Sequence, residues 1–178
     1  ATLRAPLALF TSLPLFWAEA PDVAAMLRPE GSVHWARTTL ESHYALGPLD
    51  ALDGLAGGTA RILLMVQPRP LSPGENVALD AWVRRGGRVL LFADPALTQD
   101  SAFALGDKRR PQDTVLLSPI LNRWGLPLAF DEDQPLGERT VTLGDVLLPV
   151  NLPGRLAAAP GGSCRLSAAG LMAQCRIG

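Results

Sequence analysis

A chain of 178 residues, 48% of them hydrophobic, is long enough to bury a sizeable core and reads as one unit with a small appendage. Its formal net charge of -1 supplies no basic field for nucleic acid or an anionic membrane surface, which sets both aside as partners. No apolar run reaches the ~18 residues that span a bilayer, so membrane attachment is expected only through segments outside this chain.

In chain order, PLALFTS (6–12) reads as a buried first strand, followed by the proline-marked loop LPLFWAEAPD. Ser32 is expected to cap a helix over 33–44 with Val33, Ala36, Leu40 and Tyr44 on one face. ALGPL (45–49) reads as a short second strand, and RILLMVQP (61–68) as a strand covered on both faces. Ser72, Pro73 and Glu75 then spell a helix start: the Ser hydroxyl and the Glu carboxylate can each satisfy a backbone donor. In that helix Leu79, Trp82 and Val83 share a face while Asp80 and Arg84 are expected to point away. Gly86-Gly87 stops it, and RVLLFADP is expected to form another buried strand.

Residues 95–113 read as a polar loop, Ser118-Pro119 as the start of a short helix to Trp124, and LPLAF (126–130) as a further strand. The alternation of strands and helices indicates an α/β fold around a mostly parallel sheet, with residues 1–130 as its core. Beyond residue 131, RTVTL, VLLPV, RLAAA, CRLS and GLMAQCRI predict a β-hairpin-rich C-terminal edge over 131–178, packed on the same domain. CRLSAAGLMAQC folds about Ala169-Gly170 as a two-residue hairpin that sets Cys164 opposite Cys175. A cross-strand disulfide suits that register and an oxidising compartment; two free thiols behaving as small apolar residues are the alternative.

Ligands of open parallel sheets sit outside the carboxyl ends of the strands, a rule that selects Thr11, Ser12, Gln67 and Asp94, with Trp17 and Arg69 in the following loops. Asp94 can accept hydrogen bonds from a ligand or act as a general base; alternatively Asp94-Pro95 only makes a turn. His34 reads as solvent-facing and His43 as flanking the core, and their spacing does not suit paired metal ligands. No nucleophile-base pair is legible, so no catalytic residues are assigned. No phosphate-loop glycine pattern occurs, and neither Lys108-Arg109-Arg110 nor the acidic trio Asp131, Glu132 and Asp133 forms a spaced ligand set. No cofactor or metal is therefore expected.

The segment LLMVQPRPLSPGENVALDAWVRRGGRVLLFADP resembles GldG-like auxiliary proteins of ABC transporters, in which a strand, a capped helix, a Gly-Gly turn and a strand ending in Asp-Pro succeed each other. The likeness covers about residues 61–95 well, and extends more loosely to the first strand and to NRWGL at 122–126. That family is similar in fold to class I glutamine amidotransferases, which implies a flavodoxin-like three-layer sandwich. Those enzymes carry a cysteine on the turn after the strand that LLFADP matches; here Ala93-Asp94-Pro95 stands there and no histidine follows. The resemblance thus implies a non-catalytic binding or scaffold domain of an ABC-type, gliding-motility-like transport system. Its partners would be transporter or envelope components or a small-molecule ligand. The implied location is extracytoplasmic, periplasmic and membrane-tethered, with the cytoplasm as the alternative. The competing expectation is a hydrolase or transferase using Asp94 with Ser12 or Thr11.

Lys108 is the sole lysine among 16 basic residues, a bias that fits a GC-rich bacterial genome. The start at Ala1 and the end on Ile177-Gly178, after an apolar stretch resembling a penultimate strand, are read as signs of a processed or trimmed piece.

Overall fold

The run from Ala5 to Thr11 forms β1, in which Leu7, Ala8, Leu9 and Phe10 are all buried because both faces of this strand are covered. Strands β2 (Tyr44–Pro48) and β3 (Ile62–Val66) flank it in parallel, and β4 (Arg88–Phe92) pairs in parallel with β3. The sheet order is β2-β1-β3-β4, so β4 is an edge strand. The computed structural model describes residues 4–16 and 34–178.

Helix α1 (Trp35–His43) precedes β2, and α2 (Pro73–Arg84) connects β3 to β4. Ser32 and Val33 lie outside the described residues, and the cap of α1 is His34, whose Nδ1 accepts the Ala36 amide at 3.2 Å. His43 is exposed rather than set against the core. Ala36, Leu40 and Tyr44 pack on Leu7, Leu9 and Leu64, which closes one face of β1 and β3. The opposite face carries the larger core: Phe10, Leu63 and Met65 meet Leu79 and Trp82 of α2 and Ile120 and Leu121 of α3 (Ser118–Arg123).

Helix α2 starts as its sequence dictates. The Ser72 hydroxyl accepts the Glu75 amide at 3.2 Å and the Glu75 carboxylate accepts the Ser72 amide at 2.9 Å, a reciprocal cap with Pro73 in the first turn. Its end is equally well defined. Gly86 donates to the Val83 carbonyl at 2.9 Å and Gly87 to the Trp82 carbonyl at 3.1 Å, with Gly86 at φ 96. A Cβ on Gly87 would lie 2.2 Å from the Trp82 ring, so glycine is needed there for space.

Larger corrections concern Asp80, β4 and the strand expected after α3. Asp80 does not point to solvent: it is 7% exposed, because α3 lies across it and brings Arg123 and Trp124 to its carboxylate. The strand β4 is not covered on both faces. Val89 and Leu91 pack on the larger core, while Leu90 and Phe92 are 54% and 55% exposed on the side where α1 covers β1 and β3 only. Finally, the strand expected over 126–130 shrinks to β5 (Leu128–Ala129), which pairs antiparallel with β8 (Arg155–Leu156) instead of joining the parallel sheet.

The remaining strands are antiparallel pairs. β6 (Arg139–Leu143) and β7 (Val146–Val150) form one hairpin about Gly144, and β9 (Cys164–Ser167) and β10 (Met172–Cys175) form another. The second turns through four residues, 168–171, rather than two, with Ala168 and Ala169 at φ 48 and 53. Cys164 and Cys175 are paired across it and joined by a disulfide. The helices of the described residues include none long and apolar enough to cross a membrane.

Candidate functional site

The carboxyl ends of β1, β3 and β4 gather Thr11, Ser12, Gln67 and Asp94, and these groups are spent on one another and on nearby backbone. The Thr11 hydroxyl donates to the Val66 carbonyl at 2.6 Å, and the Ser12 hydroxyl donates to the Gln67 carbonyl at 2.5 Å while accepting the Gln112 amide at 2.9 Å. Gln67 is 3% exposed and held at φ 42. Its amide nitrogen donates to the carbonyls of Asp94 at 3.0 Å and Gln112 at 2.8 Å, and its Oε1 accepts the Asp94 amide at 3.0 Å. The left-handed backbone of a non-glycine residue is an uncommon arrangement, and here three side-chain hydrogen bonds maintain it. Together they form a clasp tying the loop at residue 112 to three strand ends.

Asp94 is half-buried, and its carboxylate accepts the Ala96 amide at 3.2 Å, the geometry of an aspartate-made turn. Burial pushes its carboxyl above the ordinary aspartate range, partly offset by that backbone bond. Neither the Ser12 nor the Thr11 hydroxyl donates to it. Trp17 lies outside the described residues.

Arg69 points away from this clasp. It grips both carboxylate oxygens of Glu75 at 2.7 and 2.9 Å, reaches the Asp50 carbonyl at 2.7 Å, and stacks over the Phe10 ring at 5.0 Å. The Arg69 hydrogen bonds, with amides of Ser72 and Leu52 and against the cost of burial, hold the Glu75 carboxyl down at about 2. The carboxylate that caps α2 therefore also anchors the segment before β3. Asp80 makes a second such knot. Burial would raise its carboxyl, but bonds from Arg84, Arg123 and the Trp124 indole outweigh it and bring it to about 2.

The charged runs are likewise engaged. Arg109 pairs with Asp107 and lies over the Phe103 ring, and Arg110 pairs with Asp113; Lys108 and Arg109 are both exposed. Asp131 and Asp133 share a cavity of about 440 Å³ with Arg139 and Arg155, a balanced set of charges. No group of three metal-ligating side chains occurs among the described residues.

What remains open is a cleft of about 1160 Å³ running along β4. One wall is the strand itself from Arg88 to Asp94; the other is built by the C-terminal strands, including Leu143, Leu148, Leu156 and Met172. Parity determines what β4 offers it. Arg88 donates to the Arg61 carbonyl and the Phe92 carbonyl accepts from Gln67, so even-numbered residues bond inward to β3. The backbone groups of Val89, Leu91 and Ala93 consequently face the cleft, where no strand of the described residues pairs with them. Sequence reasoning missed this surface: a continuous apolar run looks the same whether helices cover it or one side is left bare.

Residues 34–132, more than half of the chain, match the sequence profile of a family described as an ABC-type uncharacterized transport system. Among curated proteins and solved structures, none matches the chain significantly. The match runs from α1 to just past β5 and takes in Gln67, Asp94 and Gln112 of the clasp, while β1 with Thr11 and Ser12 lies before it; the chain belongs to this ABC-type transport-system family as an auxiliary domain.

Proposed function

We propose that this auxiliary domain is a non-catalytic binding or scaffold module that contacts a protein component of its transport system. One contrast carries the reading. The polar residues at the strand ends are committed to one another, whereas the apolar cleft beside β4 has no occupant among the described residues. A catalytic centre would need a nucleophile within reach of a base; the hydroxyls of Thr11 and Ser12 are donated to main-chain carbonyls instead.

The GldG-like assignment and a flavodoxin-like, amidotransferase-like sandwich belong to the same proposal. The order β2-β1-β3-β4 and the apolar clusters on both sheet faces support it. So does the placement of the 131–178 hairpins against the 1–130 core, where Gly154 packs on Pro95 and Leu128. The Cys164–Cys175 disulfide supports an extracytoplasmic setting, which thiol labelling of intact cells tests.

Co-purification from the native host is the deciding experiment. Recovery of transporter or envelope components supports the reading, and their consistent absence refutes it. One observation favours a hydrolase or transferase: the raised Asp94 carboxyl at the rim of the cleft, suited to proton transfer. Wild-type function after Asp94→Asn eliminates that alternative.

A further inference from the structure

No strand of the described residues pairs with the outer edge of β4, an unusual arrangement for a protein. Edge strands are ordinarily blunted by proline, inward charges, bulges or a covering segment, because their unpaired N–H and C=O groups template further pairing. RVLLF has no proline or bulge, its charge lies only at its start, and Leu90 and Phe92 add apolar surface beside the open backbone.

The cleft dimensions say what fits. A strand residue inside a sheet sandwich occupies a block of roughly 3.3 by 4.8 by 10 Å, on the order of 160 Å³. The cleft of about 1160 Å³ thus holds about seven such residues, the length of the Arg88 to Asp94 wall. Small-molecule sites run from about 300 to about 1,000 Å³, so the cleft lies above their range. A second copy of the chain fits poorly, since the strands that wall its own β4 stand in front of the edge it would have to present. The ends of the wall are charged oppositely, Arg88 at the start and Asp94 at the finish.

We infer that β4 receives an extended segment of a partner protein by strand addition. That segment is about seven residues long, apolar at alternate positions, with an acidic group at the Arg88 end and a basic group at the Asp94 end. Backbone bonds to Val89, Leu91 and Ala93 supply affinity, and the contacts of its side chains with Leu90, Phe92 and the hairpin wall supply selectivity. This rests on the proposed scaffold function and names the mode by which that function is carried out.

The test uses a synthetic peptide of alternating valine and threonine with aspartate at one end and lysine at the other, in both directions, and versions N-methylated on either alternate set of amides. Amide hydrogen exchange at Val89, Leu91 and Ala93 is the readout. Millimolar peptide in one direction should slow those amides by roughly tenfold or more, and one of the two N-methylated sets should abolish the effect. Leu90→Lys with Phe92→Lys should weaken the protection without altering the urea midpoint. The inference is overturned if no protection develops, if both N-methylated sets protect equally, or if the three amides are already slow in the dilute free protein. Protection that instead grows with protein concentration identifies a second copy as the occupant and also overturns it. Co-purification separates the two proposals: partners retained by the Lys double variant sink strand addition alone, and partners absent from both proteins sink the scaffold function.

Discussion

The strand-end clasp and the β4 edge lie within one sheet yet are built on opposite terms. At the clasp, Gln67 is buried with its amide fully engaged, and Thr11 and Ser12 close onto carbonyls across the strands. Along β4, three residues turn backbone groups toward an apolar cleft, with no partner strand among the described residues. A polar residue at a topologically favoured ligand position can thus be a fastening, while a strand that looks like core can stand at the sheet edge with one face exposed. Satisfaction of hydrogen bonds, rather than residue type, separates the two roles.

The sharpest way to break the fastened region is Glu75→Gln. It removes the charge that meets Arg69 and the amides of Ser72 and Leu52, and should cost about 3 kcal/mol in urea unfolding. A loss below about 1 kcal/mol would show that this knot is peripheral.

Acid should act on the same knots. Glu75 and Asp80 have carboxyls held at about 2, below their ordinary values, so the unfolded chain takes up protons first as pH falls. Their contribution is fully present above about pH 5 and is lost as pH falls through about 2. Unfolding followed by circular dichroism should show that slope, reduced in Glu75→Gln.

Gly87→Ala probes packing beneath β4. The added methyl must displace the Trp82 ring from the helix end, at a cost of about 2 kcal/mol, with altered tryptophan fluorescence. An unchanged emission spectrum and midpoint would mean the ring has room to move.

The smallest effects belong to the open region. Asp94 has a raised carboxyl, so its charge opposes folding as pH climbs above the ordinary aspartate value; Asp94→Asn still accepts the Ala96 amide. At neutral pH the change should be neutral or stabilising by about 0.5 kcal/mol. A loss larger than about 1 kcal/mol would return Asp94 to the fastened set.

Much of the fold was legible because its signals are local. Ser72, Pro73 and Glu75 specify a helix start through bonds spanning three residues, and Gly86-Gly87 specify its end through backbone geometry that side chains disfavour. The candidate site was less legible. The rule about strand ends located Thr11, Ser12, Gln67 and Asp94 together, but whether their polar atoms face a ligand or one another depends on Gln112, separated from Ser12 by 100 positions.

By itself the sequence determined the alternation of strands and helices, both boundaries of α2, and the facing of Cys164 and Cys175, since each follows from chain geometry over a dozen residues or fewer. Only the tertiary structure decided that Asp80 is enclosed, that LPLAF leaves the parallel sheet for β8, and that β4 stands at an edge. Those outcomes depend on which distant element arrives beside each residue. Apolar composition drives burial, but it carries no record of whether the covering partner lies in the same chain.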